Sequence, residues 1–309
     1  MKNKRKLTPW LYSMPALILI GMVIVFPIIY TGYISLTNMN LFHWSNYEFI
    51  GLSNYSRALL KADSGFLGAL FTTLLWTTLN MVIQVVVAYF IALGFQREDL
   101  KGKRVYKTLL MFPWAMPAYV SILLWRVGIY NTEFGLLNKI LKRRRAGWQW
   151  LSPVALGFGK VNFLSTNVPA FLSCMTLNLW MALPFMIMMI DGALSSIDRS
   201  YYESAELDGA GFWSKNIHIT VPAMKGIIAP AVIMTTFTTF KQFDIVYLLT
   251  MQKGAYSGAT LQTVITYAQQ NAFVSNNYGL SSAVSIIIFF LIMVFSLFTN
   301  RGVKEENYD

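Results

Sequence analysis

Six near-continuous apolar stretches, at about residues 11–36, 67–95, 108–127, 168–190, 227–249 and 281–299, constrain this chain more than any other feature. Each is close to or above the about 20 apolar residues that cross hydrocarbon as a helix. Lipid offers no water to satisfy a backbone, so such stretches cross as helices or not at all. Charged residues are 13% of the chain, against roughly a quarter in a soluble domain. The sequence therefore predicts an all-α membrane protein with six transmembrane helices. The first run follows Lys2, Lys4, Arg5 and Lys6, as a secretory leader would. It is far longer than the about 7–15 residues of a leader's apolar core, and no A-x-A site follows it. It reads as a first membrane helix, kinked at Pro27.

A net charge of +11 suggests nucleic acid only until the cations are located. They lie mostly between apolar stretches, where they set topology. With the N-terminus inside, the cytoplasmic segments hold the larger share: the N-terminal cluster, then Arg97, Lys101, Lys103, Arg104 and Lys107, then Arg199, Lys215 and Lys225, then Arg301 and Lys304. Lys139, Lys142, Arg143, Arg144, Arg145 and Lys160 oppose that orientation from one outer loop. The first helix usually dominates, so the expectation is a multi-pass protein of the cell membrane with both termini cytoplasmic. Cys174 is the only cysteine and His43 and His218 stand apart, so neither a disulfide framework nor a metal site is expected.

The connector at 201–222 is unlike a short basic loop. Tyr201, Tyr202, Ala205 and Leu207 mix with Glu203, Glu206 and Asp208 as in an amphipathic helix. Gly209 and Gly211 permit the positive φ of a sharp turn. A second amphipathic run, 212–221, is expected to end at Pro222, which cannot donate to a helix ladder. The reading is a cytoplasmic helix–turn–helix hairpin, built to be gripped by a soluble partner.

Glu203, Ala205, Asp208, Gly209 and Ala210, then eight residues, then Ile219 and Pro222 resemble the EAA loop of bacterial ABC importer membrane subunits. Ser204 departs from that motif by one small residue. Further stretches are similar to sugar permeases of that family: Phe112-Pro-Trp-Ala-Met-Pro117, Ile122-Leu-Leu-Trp125, Phe134-Gly-Leu-Leu-Asn138, Trp150-Leu-Ser-Pro153, Asn178-Leu-Trp180 and Phe243-Asp-Ile-Val-Tyr-Leu-Leu-Thr250. The resemblance spans nearly the whole chain and points to the maltose-type subfamily, to the first of its two different membrane subunits. It implies the type I ABC importer permease fold, with an N-terminal tail, first helix and outer loop at 1–66. A five-helix permease core at 67–300 and a cytoplasmic tail at 301–309 complete it. A large extracytoplasmic domain and two additional N-terminal helices of the best-known member have no counterpart.

The resemblance also implies partners: two ATP-binding subunits, a second permease subunit, an extracytoplasmic solute-binding protein, a sugar substrate and membrane lipid, with no nucleic acid and no cofactor. The hairpin becomes the coupling helix that docks on the ATPase. Glu203 would pair with a basic residue there; Ala205, Asp208, Gly209 and Ala210 belong to the helix and its tight turn, and Phe212 fills a pocket.

For substrate, Asn178, Met181, Ala182 and Phe185 share a helical face, as do Thr235, Thr238, Thr239 and Gln242. These positions correspond to sugar-contacting ones in the maltose permease, with Asn178 keeping its type and Phe185 standing where tyrosine is found. Thr and Gln in a membrane helix also serve as interhelical glue. Lys241, an ionisable group within a span, is a functional candidate; an intrahelical pair with Asp244 is the plainer reading, an acidic sugar the sharper one. A uronate oligosaccharide, glycerol phosphate or a polyamine remain alternative substrates. The phosphate-cradling G-x-x-x-x-G-K-S/T does not occur, so catalytic residues are none and ATP hydrolysis falls to a partner. A secondary carrier is disfavoured because neither inverted halves nor broken helices are evident.

Overall fold

A computed structural model describes residues 12–61, 65–97, 99–144, 161–251 and 261–305. The basic N-terminal cluster, Arg145, Lys160 and the Trp150-Leu-Ser-Pro153 stretch lie outside them, as do the side chains of Lys142, Arg143 and Arg144. The described residues are almost wholly helical: α1 (Tyr12–Ser35), α2 (Ser53–Leu60), α3 (Phe66–Gln96), α4 (Lys103–Ala115), α5 (Ala118–Ile129), α6 (Leu136–Arg144), α7 (Asn167–Ser195), α8 (Arg199–Leu207), α9 (Phe212–Thr250), α10 (Val264–Phe273) and α11 (Tyr278–Glu305). Five of them, α1, α3, α7, α9 and α11, are long and apolar enough to cross a membrane singly. The expected third span is a correction: α4 and α5 meet at a 93° bend and make a crossing only as a broken pair.

Prolines explain some of the irregularities. Pro113 stays inside α4, whereas Met116, pressed by the ring of Pro117, adopts an extended backbone (ψ 141°) and ends the helix. Pro27 and Pro222 are accommodated without a break. Each follows a wide π turn, Gly21–Val25 and Asn216–Thr220, closed by Phe26 N–H on Gly21 O and Val221 N–H on Asn216 O. The wide turn displaces in advance the carbonyl that the proline ring would strike. The second hairpin arm therefore does not end at Pro222; it runs on as the start of α9. Inside α9 the ladder stops at Phe240 and restarts at Asp244. Broken helices, not evident from sequence, are thus present in two spans.

Contacts divide the chain into two units. The first holds Met1–Leu70 and Val264–Phe295. There Asn54 donates to Ser35 O (2.9 Å) and Thr37 O (2.8 Å), fastening α2 to the end of α1, and Ser281 donates to Ala268 O (2.7 Å), fastening α11 to α10. Gly279 lies so close to Thr37 O that any Cβ would collide with it.

The second unit, Phe71–Thr263 and Ser296–Asp309, has two apolar cores strung along α7. One gathers Trp76, Ile122, Tyr130, Cys174, Leu177, Val246 and Leu249; the other Met81, Ala88, Ala92, Phe95, Met186, Ile190, Leu194, Met224 and Ile228. Helices α4 and α9 both pack on α7. Between the cores lies a polar layer of Asn80, Gln84 and Asn178, all buried.

Candidate functional site

The hairpin is organised around its turn. Asp198 caps α8 by accepting from Ser200 N (2.9 Å). At the other end Ala210 N bonds Ala205 O (2.9 Å) and Gly209 N bonds Glu206 O (3.0 Å), with Gly209 at φ 77°. This is a Schellman stop, and its left-handed residue is the one a side chain disfavours. Asp208 is the helix C-cap and Ala210 the half-buried residue past the turn. Gly211 is extended (φ −73°, ψ 172°), so only one of the two expected glycines supplies a positive φ.

Three contacts brace the arms. Lys215 Nζ sits 2.6 Å from Glu206 Oε1, and Tyr202 OH lies 3.0 Å from Thr220 Oγ1. Tyr89 OH, on α3, donates to Asn216 Oδ1, fixing the hairpin to the bundle. Lys215 holds the Glu206 carboxyl below its ordinary value, by hydrogen bond first and charge second. Glu203 is exposed, with only a long 3.5 Å contact to Arg199 one turn back, which leaves it able to re-pair. The outer surface is apolar: Leu207 is 90% exposed, Trp213 64% and Phe212 56%. Sequence reasoning singled out Phe212 and missed Leu207 and Trp213. Their signal was their grouping with Phe212 around one turn, since apolar residues exposed together mark an interaction surface more than any one of them alone.

The residues expected to meet substrate fall into two groups. Trp76 Nε1 donates to Thr239 O (3.2 Å), Asn80 Nδ2 to Trp76 O (2.8 Å) and Asn178 Nδ2 to Asn80 Oδ1 (2.8 Å). A hydrogen-bonded relay through α3 thus joins Thr239 on α9 to Asn178 on α7. Beside it Gln84 Nε2 donates to Ala182 O (3.0 Å), while Gln84 Oε1 is buried with no partner among the described residues. Met181 packs on the first apolar core. Thr235 is buried with its hydroxyl on Ala231 O, and Thr238 is exposed with its hydroxyl on Thr235 O. Threonines bonded to their own helix bury no unpaired hydroxyl. Gln242 and Lys241 lie in the break of α9, so they do not continue the threonine face. The expected Lys241–Asp244 ion pair is also corrected: the helix does not connect the two residues, and none forms among the described residues.

Phe185 belongs to the second group. Its ring stacks on Trp114 of α4, centroids 6.3 Å apart and planes 18° apart. Both rings keep accessible surface. Trp125 and Trp180 form a second aromatic pair at 5.3 Å. Flat aromatic faces of this kind suit a ring that is apolar on its faces and polar at its edge. Sequence reasoning missed Trp114, Trp76 and Asn80, because nothing local marks a side chain whose partner lies on a helix far along the chain.

On the hairpin side of the bundle, Asp191 is buried and bonded to Lys107 Nζ (2.5 Å) and Gln96 Nε2 (3.1 Å), with Gln96 also reaching Ser195 Oγ (3.1 Å). The Lys107 ammonium lies 5.5 Å from the Phe95 ring centroid. Three helices are thereby clamped just before the hairpin begins.

Residues 84–302 match the family described as binding-protein-dependent transport system inner membrane component. The chain is 30% identical to the trehalose/maltose transport system permease protein MalF of Thermococcus litoralis, covering 96% of this chain and 94% of that one. It is 31% identical to the sulfoquinovosyl glycerol transport system permease protein SmoG of Agrobacterium fabrum (95% and 89%). To the galactooligosaccharides transport system permease protein GanP of Bacillus subtilis it is 28% identical (96% and 70%). Its fold is similar to a crystal structure of a bacterial ABC transporter involved in the import of the acidic polysaccharide alginate, with TM-score 0.77, 20% identity and 99% of each chain covered.

Proposed function

The chain belongs to the family of binding-protein-dependent transport system inner membrane components, and from that premise we propose that it carries a sugar or oligosaccharide through the bacterial cytoplasmic membrane. It does so as one permease subunit of an ATP-driven importer. The observation that carries the reading is the braced hairpin with an exposed apolar tip, placed in a chain that lacks a nucleotide-binding loop. Two ATP-binding subunits grip that tip from the cytoplasm, a second permease completes the channel, and an extracytoplasmic binding protein delivers the solute. Both termini are then cytoplasmic.

Within the bundle the residues divide the work. Leu207, Phe212 and Trp213 dock on the ATPase and Glu203 exchanges Arg199 for a cation there. The Schellman turn keeps the two arms at one angle, so that a push on the tip becomes a movement of α7 and α9. Trp114 and Phe185 stack on sugar rings, and the amides and hydroxyls of Asn178, Thr239 and Gln242 take up hydroxyl groups as the polar layer rearranges. The solute is a carbohydrate on the strength of relatives named for trehalose/maltose, galactooligosaccharide and sulfoquinovosyl glycerol transport. Lys241, exposed in the break of α9 and free of an ion pair with Asp244, favours an acidic sugar as the second reading.

The test is ATP hydrolysis by the reconstituted assembly, measured with a panel of binding proteins loaded with neutral sugars, acidic sugars, glycerol phosphate or polyamine. Stimulation by a carbohydrate-loaded protein alone is the expected result. Uptake into ATP-free vesicles driven by an ion gradient would refute the importer mechanism.

A further inference from the structure

A surface groove of about 360 Å³ runs along α4 beside α7, lined by Lys103, Arg104, Lys107, Thr108, Met111 and Met188. Its lining is graded. The cations sit at the start of α4, immediately after α3 ends at Gln96, where a membrane-spanning bundle meets water. Met111 is eight residues further along α4, about 12 Å from the first cation at a helical rise of about 1.5 Å per residue. Lys107 is already committed to Asp191, whereas among the described residues Lys103 and Arg104 make no ion pair. Asp99, the carboxylate that feels Lys103, is itself bridged by Arg97 (2.8 Å).

We propose that this groove is a binding site for one anionic phospholipid. Its phosphate diester lies between Lys103 and Arg104, and its acyl chains lie over Met111 and Met188. Basic recesses between transmembrane helices are suited to anionic headgroups, whose charge completes a cluster that the protein leaves unbalanced. A free phosphate would use the cations and gain nothing from the methionines. A zwitterionic lipid would bring its own ammonium toward them. The site lies on the hairpin side, since Asp191 behind it is four residues from the end of α7. It requires only that the bundle spans a membrane and is independent of the solute carried.

The assembled transporter, exchanged into nanodiscs of phosphatidylcholine with or without phosphatidylglycerol, is examined for retained lipid by native mass spectrometry. Phosphatidylglycerol is expected to stay with the wild type and to be lost on the order of tenfold or more in K103Q/R104Q. K101Q, which removes an exposed cation outside the groove, leaves retention unchanged. Should K103Q/R104Q fail to assemble, M188W fills the apolar end with the cations intact and carries the same expectation. Equal retention by the groove variants, or equal loss in K101Q, overturns the site. Displacement of the lipid by inorganic phosphate overturns the lipid in favour of a soluble anion. A photoreactive residue at position 188 that cross-links a partner subunit instead of lipid overturns it as well. None of these readouts depends on transport, so a failure of the sugar reading leaves the result interpretable.

Discussion

Lys107 and Asp191 are buried unequally, and that asymmetry sets the cost of separating them. The Asp191 side chain is 8% exposed and that of Lys107 29%. Stranding one member of a buried pair costs about 3–5 kcal/mol. In K107M the carboxylate stays where it is, with only the Gln96 amide at 3.1 Å, so a loss of about 3 kcal/mol is expected. In D191N the ammonium keeps the Phe95 ring at 5.5 Å and opens onto the groove, where water or the proposed lipid phosphate takes it up, so the loss falls to about 1–2 kcal/mol. The double variant K107M/D191N leaves a neutral amide bonded to Gln96 and an apolar side chain, so it should be more stable than K107M alone. Thermal unfolding of the purified assembly, followed by tryptophan fluorescence, gives the order. Equal midpoints for the two single variants, or a double variant as unstable as their sum, would refute the argument from unequal burial.

Other perturbations follow from the same geometry. Gly209→Pro cannot adopt φ 77° and forfeits the bond to Glu206 O, so ATP hydrolysis should continue while uptake fails; normal uptake would remove the coupling role of the turn. Because Lys215 lowers the Glu206 carboxyl, the brace should be intact above the ordinary glutamate value of 4.5 and be lost as pH falls through the lowered one. A spin label at Leu207 should therefore gain mobility only in acid, and E206Q should be mobile at all pH values; mobility rising toward neutral pH would contradict the sign. Trp114→Ala should weaken apparent solute affinity roughly tenfold, the stacking contribution of about 0.5–1.5 kcal/mol adding to lost area, with Phe185→Ala alike; an unchanged KM would remove the platform. K241Q should abolish uptake of an acidic sugar selectively, and equal loss for neutral sugars would exclude the charge reading.

What was legible in the sequence is what depends on neighbours in the chain. Apolar length marks α3, α7 and α11, and the mixture of tyrosines and carboxylates before Gly209 marks α8. Proline identity was legible but its effect was not. Pro113 continues a helix, Pro117 ends one by forcing Met116 extended, and Pro222 is absorbed by a π turn. The outcome depends on the packing around each ring, which no local rule contains. The relay from Thr239 through Trp76 and Asn80 to Asn178, and the clamp at Asp191, join residues far apart in sequence. A buried amide in a hydropathy profile looks the same whether it meets a sugar or another amide.

The π turn at Asn216–Thr220 lets the tip of the hairpin and the threonines of α9 belong to a single rod. From Phe212 to Thr239 that rod is about 40 Å long at a helical rise of about 1.5 Å per residue. Pivoting it by about five degrees at the tip swings the far end by about 3.5 Å, more than the length of the bond that Trp76 makes to Thr239. A lever of this length needs no slack loop and no large motion by whatever holds it. Under the proposed coupling, rocking by a few degrees would be enough to open and remake the polar layer.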